Sequence, residues 1–156
     1  MAMFAMIAGG TYLGSGFFTP LYHIAAFIIG PETMMKSMES GTFFFSFGPA
    51  VLGMMIHLMT ALAWGIVFAV VVSRLGARGG ALVVIGAVYG LIVMALMSFI
   101  ALPLIGQGEM PKMVGWPTFS LEHALYGATL GVWLALSRVP SEGFQLSRST
   151  EGVPGT

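Results

Sequence analysis

The charged residues of this 156-residue chain fall in clusters, and the intervals between the clusters are too long and too apolar for a water-soluble fold. In chain order they are Glu32, Lys36, Glu39, Arg74, Arg78, Glu109, Lys112, Glu122, Arg138, Glu142, Arg148 and Glu151. Charge-free runs cover residues 1–31, 40–73 and 79–108, each longer than the roughly 20 residues that cross a hydrocarbon core at about 1.5 Å per residue. A fourth apolar run, 121–137, is shorter and carries Glu122 near its start. With 57% hydrophobic against 8% charged residues, one core of this size cannot hide the apolar surface from water. The expected environment is a lipid bilayer.

These runs predict an all-α polytopic membrane protein with four transmembrane helices, about 3–29, 49–73, 80–105 and 119–137. Their ends carry helix punctuation: Gly30-Pro31 after the first, Gly48-Pro49 before the second and Pro117-Thr118 before the fourth. No run alternates with period two, which excludes barrel strands. Pro20 falls inside the first helix and should kink it near Gly16. Residues 139–156 are polar, hold Pro140 and Pro154, and read as a flexible cytoplasmic tail.

Basic residues orient the bundle. Arg74 and Arg78 share the loop after the second span and Arg138 follows the fourth, so that side is expected to be cytoplasmic, with both termini. Lys36 and Lys112, offset by Glu32, Glu39 and Glu109, mark the outer loops. No Lys or Arg precedes Lys36, unlike a signal peptide, so the first helix is expected to stay in a protein of the plasma membrane. Phe43, Phe44, Phe45 and Phe47 with Trp116 would form an outer aromatic belt, and Met34, Met35 and Met38 one side of a short interfacial helix.

An internal duplication is expected. His57, Ala61, Gly65 and Ala69 recur at four-residue spacing in the second span, as do His123, Gly127, Gly131 and Ala135 in the fourth. Gly9-x2-Tyr12 echoes Gly86-x2-Tyr89, and Ile28-Ile29-Gly30 echoes Leu104-Ile105-Gly106. The bundle over 1–138 would then be two hairpins, 1–76 and 77–138, related by an axis along the membrane normal. Small residues at this spacing let helix backbones approach closely in lipid, and Gly10-x3-Gly14 and Gly86-x3-Gly90 add two further seams.

Composition removes several function classes. A balance of six Lys+Arg against six Asp+Glu leaves no electrostatic footprint for nucleic acid. With no cysteine, disulfides, thiolate metal sites and cysteine nucleophiles are excluded. No P-loop, dinucleotide fingerprint, H-E-x2-H or Ser-His-acid set occurs, so a catalytic role is not expected.

Chemistry therefore falls to His23, His57 and His123, since ionisable side chains inside membrane helices are functional candidates by default. Counting from the helix ends places all three roughly 8 to 12 Å below the outer boundary. Two facing imidazoles, His57 and His123, could ligate haem or chlorin, with glycines letting a macrocycle lie on backbone. His23 as a third nitrogen would suit copper or zinc, with Met55 or Met59 as a soft ligand. The plainer reading is that each ring bonds a neighbouring helix, and a further one is quinol or proton handling with Glu122.

Gly16-Phe17-Phe18-Thr19-Pro20-Leu21, Ile56-His57-Leu58, Leu102-Pro103-Leu104-Ile105-Gly106 and His123-Ala124-Leu125-Tyr126-Gly127 follow one another over the four spans. In this order the chain resembles small, uncharacterised bacterial four-helix membrane proteins, a resemblance that implies no activity. The reading that best fits is a non-catalytic subunit embedded in the bilayer among other membrane protein subunits. It would hold haem, chlorin or a metal, as in electron transfer. A small-solute transporter or channel is the alternative, disfavoured because the spans hold almost no buried charge.

Overall fold

A computed structural model describes residues 2–11, 14, 16–40 and 43–137; Tyr12, Thr42, Arg138 and the expected tail lie outside them. Among the described residues there are helices and no strands. The elements are α1 (Ala2–Thr11), α2 (Thr19–Ile29), α3 (Glu32–Ser40), α4 (Phe47–Leu75), α5 (Ala81–Leu96), a π-helical turn (Met97–Ala101), α6 (Leu102–Leu104), α7 (Met110–Val114) and α8 (Trp116–Ser137). Two helices are long and apolar enough to cross a membrane: α4 and the continuous stretch Ala81–Leu104. α8 has 22 residues, but Thr118, Glu122 and His123 dilute its apolar character.

The expected first span, 3–29, is not one helix. Gly14 and Gly16 adopt φ of 63° and 94°, left-handed backbone that ends a right-handed helix and that glycine alone adopts readily. Pro20 sits in the first turn of α2, where its missing N–H would have had no intrahelical partner. It starts a helix instead of kinking one. Gly14, expected to form a seam with Gly10, has nothing within 4 Å of where a Cβ would stand.

After this break the chain reverses. Met6 of α1 packs against Leu21 and Tyr22 of α2, and the Phe18 ring reaches Phe45, just before α4, at 4.9 Å. The Tyr22 hydroxyl accepts from the Ser46 N–H at 2.7 Å and donates to the Phe44 carbonyl at 3.2 Å. A Cβ on Gly53 of α4 would collide with the Leu21 carbonyl. The beginnings of α2 and α4 therefore lie side by side, and the two helices run in the same direction. From Gly30-Pro31 α3 returns along α2, tied by the Thr19 Oγ1 to Ser37 Oγ hydrogen bond of 2.7 Å.

The second half is the antiparallel pair the small residues predict. A Cβ on Gly86 would collide with the Gly127 carbonyl, on Gly90 with that of His123, and on Gly131 with that of Leu82, so α5 and α8 touch backbone to backbone. The matching stripe of α4 does different work: Gly65 meets the side chains of Tyr126 and Leu130. Because α4 pairs with a parallel α2 while α8 pairs with an antiparallel α5, the two halves are not built alike. The tandem hairpins 1–76 and 77–138 do not appear as matching packing.

Two tyrosines join the halves. Tyr89 donates to the Trp64 carbonyl at 2.7 Å and Tyr126 donates to the Ala61 carbonyl. Buried apolar residues gather in three small clusters, around Leu102, Leu21 and Phe68. The exterior is apolar: Leu62, Ile66 and Val70 on α4, Val84 and Val88 on α5, and Trp133 and Leu136 on α8 are all exposed, far beyond the patch of a soluble monomer. Of the expected belt, Phe43, Phe45 and Phe47 are exposed, Phe44 packs on Tyr22, and Trp116 stacks on Phe99 at 5.8 Å. Met35 and Met38 of α3 face outward, whereas Met34 turns in against the Leu21 cluster.

Candidate functional site

His23 of α2, His57 of α4 and His123 of α8 line one cavity of about 170 Å³, together with Glu122 and Gln107. Its remaining wall is apolar and includes Phe27, Trp64 and Phe119. The cavity is partly open, and Phe27 and Ile105 belong both to its wall and to the exposed apolar surface.

Each polar group arrives by a local cause. α2 contributes one face, with Pro20, His23, Ile24 and Phe27 spaced three, one and three residues apart, as the 3.6-residue period requires. His23 stands four residues past Thr19, in the second turn of α2 and so near the end that lies beside the start of α4.

On the opposite wall, the π turn places both Met97 and Leu102 on the cavity. The Leu102 N–H bonds the Met97 carbonyl five residues back, a widening that admits the ring of Pro103 into a helical run. The same helix then closes through Gly106 at φ 75°. Gln107 N–H donates to Leu102 at 2.8 Å and Gly106 N–H to Pro103 at 3.1 Å. This pairing is a Schellman cap, and it turns Gln107 back onto the cavity.

The hydrogen bonding is uneven. His123 Nδ1 donates to the Phe119 carbonyl at 2.8 Å, which in a neutral ring leaves Nε2 as the acceptor. His23 is 95% buried, yet neither ring nitrogen has a hydrogen-bond partner; Gln107 approaches without reaching bonding geometry. Glu122, 96% buried, likewise has Oε1 without a partner. Such atoms cost about 1–3 kcal/mol each when left unsatisfied, so three around one small cavity describe a place built for something polar.

The sequence-based cofactors do not fit. Among the described residues no three His or acidic side chains come together as a metal-holding set. His23, His57 and His123 share the cavity from three different helices without converging as copper or zinc ligands. Sites for drug-sized ligands occupy about 300–1,000 Å³, and a tetrapyrrole exceeds what about 170 Å³ offers. The glycines expected to receive a macrocycle, Gly127 and Gly131, are already covered by α5.

Glu122 and Gln107 are the residues that sequence reasoning undervalued. Glu122 looked like an edge residue, although it is an acid inside an apolar run, which is the signal that should have promoted it. Gln107 carried no signal, because its position depends on the cap at Gly106.

Fold and cavity together define an all-helical protein with membrane-length apolar helices around a small, mostly apolar chamber carrying histidines and a carboxyl. Comparison with protein-family models, curated proteins and solved structures found no match for this chain. The functional reading rests on the chamber itself.

Proposed function

We propose that this is a non-catalytic subunit of a larger complex in a bacterial plasma membrane, and that it retains a small hydrophobic molecule in the cavity shared by His23, His57, His123 and Glu122. The four-span count of the sequence becomes three full crossings, α4, α5 with α6, and α8. The fourth bundle position is held by the short α1, while α2 and α3 re-enter from the outer side. Re-entrant backbone at membrane depth is tolerated where protein buries it or where it lines a cavity, and α2 does line one. Arg74 and Arg78 place their loop in the cytoplasm, with the connection from α3 to α4 and the segment at Lys112 outside.

The observation that carries the ligand reading is that His23 of α2 and Glu122 of α8, whose buried polar atoms lack hydrogen-bond partners, both belong to the wall of one apolar chamber. Membership of a complex is supported by α3, whose Glu32, Lys36 and Glu39 are all exposed beside apolar helices and call for water or another subunit.

Purification in mild detergent followed by solvent extraction and mass spectrometry tests the ligand reading. The wild-type protein should retain a stoichiometric small molecule that Ala61→Phe, which fills the chamber, releases while still folding. A preparation with an empty chamber and full stability would defeat it.

A further inference from the structure

We propose that the chamber recognises a lipid-soluble molecule through a single hydroxylated aromatic ring, the head of a phenol or quinol. The inference rests on the reading of the chamber as a ligand site and adds the chemistry of its occupant.

Size comes first. An apolar protein cavity of about 150 Å³ accepts one benzene ring, and this chamber measures about 170 Å³. One six-membered ring fits, with any tail left to emerge past Phe27 and Ile105, where the wall meets the exposed apolar surface. Trp64, Phe27 and Phe119 supply ring faces and edges for a planar guest.

Polarity then selects among rings. Neutral His23 has one N–H donor and one lone pair and Glu122 has Oε1, and these atoms, on two residues of the chamber wall, are buried without protein partners. A bare hydrocarbon would leave every one of them unsatisfied, and an ether oxygen can only accept. A hydroxyl both donates and accepts, so it can accept from the imidazole N–H while donating to the carboxyl oxygen. The His123 Nε2 lone pair, also on a residue of the chamber wall, can accept from a second hydroxyl, as a quinol carries.

The test uses Trp64 as a reporter, because Trp116 and Trp133 lie off the cavity wall. In the full chain carrying Trp116→Phe and Trp133→Phe, reconstituted in phosphatidylcholine nanodiscs, Trp64 emission is followed during titration with 4-propylphenol, 4-propylanisole and propylbenzene. The phenol should act at about tenfold lower concentration than either control, the equivalent of about 1.4 kcal/mol. His23→Phe and Glu122→Met should abolish that preference, while His23→Gln, which keeps a donor and an acceptor, should restore most of it. Thermal melts of each variant identify any that fails to fold, and His23→Gln then carries the comparison alone. If all three probes act alike and His23→Phe changes nothing, the hydroxyl-ring assignment is overturned while the chamber remains a ligand site. If none perturbs Trp64, both the assignment and the reading beneath it fall.

Discussion

Two hydroxyl oxygens join the halves of this bundle beside the Phe68–Val72–Leu82 cluster. The Tyr89 and Tyr126 hydroxyls each donate to a helix carbonyl of α4, and in an apolar surrounding a lost partner is not replaced by water. Tyr89→Phe and Tyr126→Phe should each destabilise by about 1 kcal/mol, read as a lowered unfolding midpoint in detergent, and the pair together by roughly the sum. Glycines offer the opposite contrast. Gly90→Ala puts a methyl into the His123 carbonyl and should cost about 1–3 kcal/mol by forcing α5 from α8. Gly80→Ala, where φ is −59° and a Cβ meets nothing within 4 Å, should change stability by less than about 0.5 kcal/mol. Equal effects at the two sites would contradict the backbone seam.

At the scale of elements, the reversal between α1 and α2 matters most, because it converts an expected span into a wall of the chamber. It follows from two left-handed glycines and a proline within seven residues, a combination that interrupts a helix even where every side chain suits lipid. The placement of α3 beside the start of α4 makes a topological prediction. Cysteines at Glu39 and Ser73, both exposed, should react with an impermeant maleimide from opposite faces of the membrane: Glu39→Cys in intact cells, Ser73→Cys only after the cytoplasmic side is opened. Labelling of Ser73→Cys but not Glu39→Cys in intact cells would reverse the orientation drawn from Arg74 and Arg78, and labelling of both would refute the crossing by α4. The π turn is the second element-scale device, since it admits Pro103 and lets Met97 and Leu102 share one wall.

For the whole molecule, the exterior is as telling as the chamber. Leu58, Met59, Leu62 and Ile66 make one flank of α4 exposed and apolar, as lipid or a neighbouring subunit requires. If the chain works within a complex, extraction from its native membrane in mild detergent should bring down partners in fixed ratio. Harsher detergent should release a chain whose α5–α8 pair stays intact, because that pair rests on its own backbone contacts. A protein that migrates alone under the mild condition, with its ligand retained, would remove the subunit proposal and leave the chamber.

The sequence by itself determined the helical class, the apolar exterior and the α5–α8 seam, and it singled out the three histidines that the structure brings to one cavity. All of these follow from residue type and short-range spacing: charge-free length, small residues at every fourth position, and imidazoles where ionisable groups are rare. It misjudged the first span and the equivalence of the two stripes, because identical stripes can face different partners once a chain reverses. The chamber was decided by tertiary structure alone. Its volume, the unpartnered nitrogens of His23, the burial of Glu122 and the return of Gln107 each depend on where α2 lies beside α4 and where the cap at Gly106 points. Local propensity ranks conformations of a few residues, whereas the space left between four helices is set by how all of them pack at once.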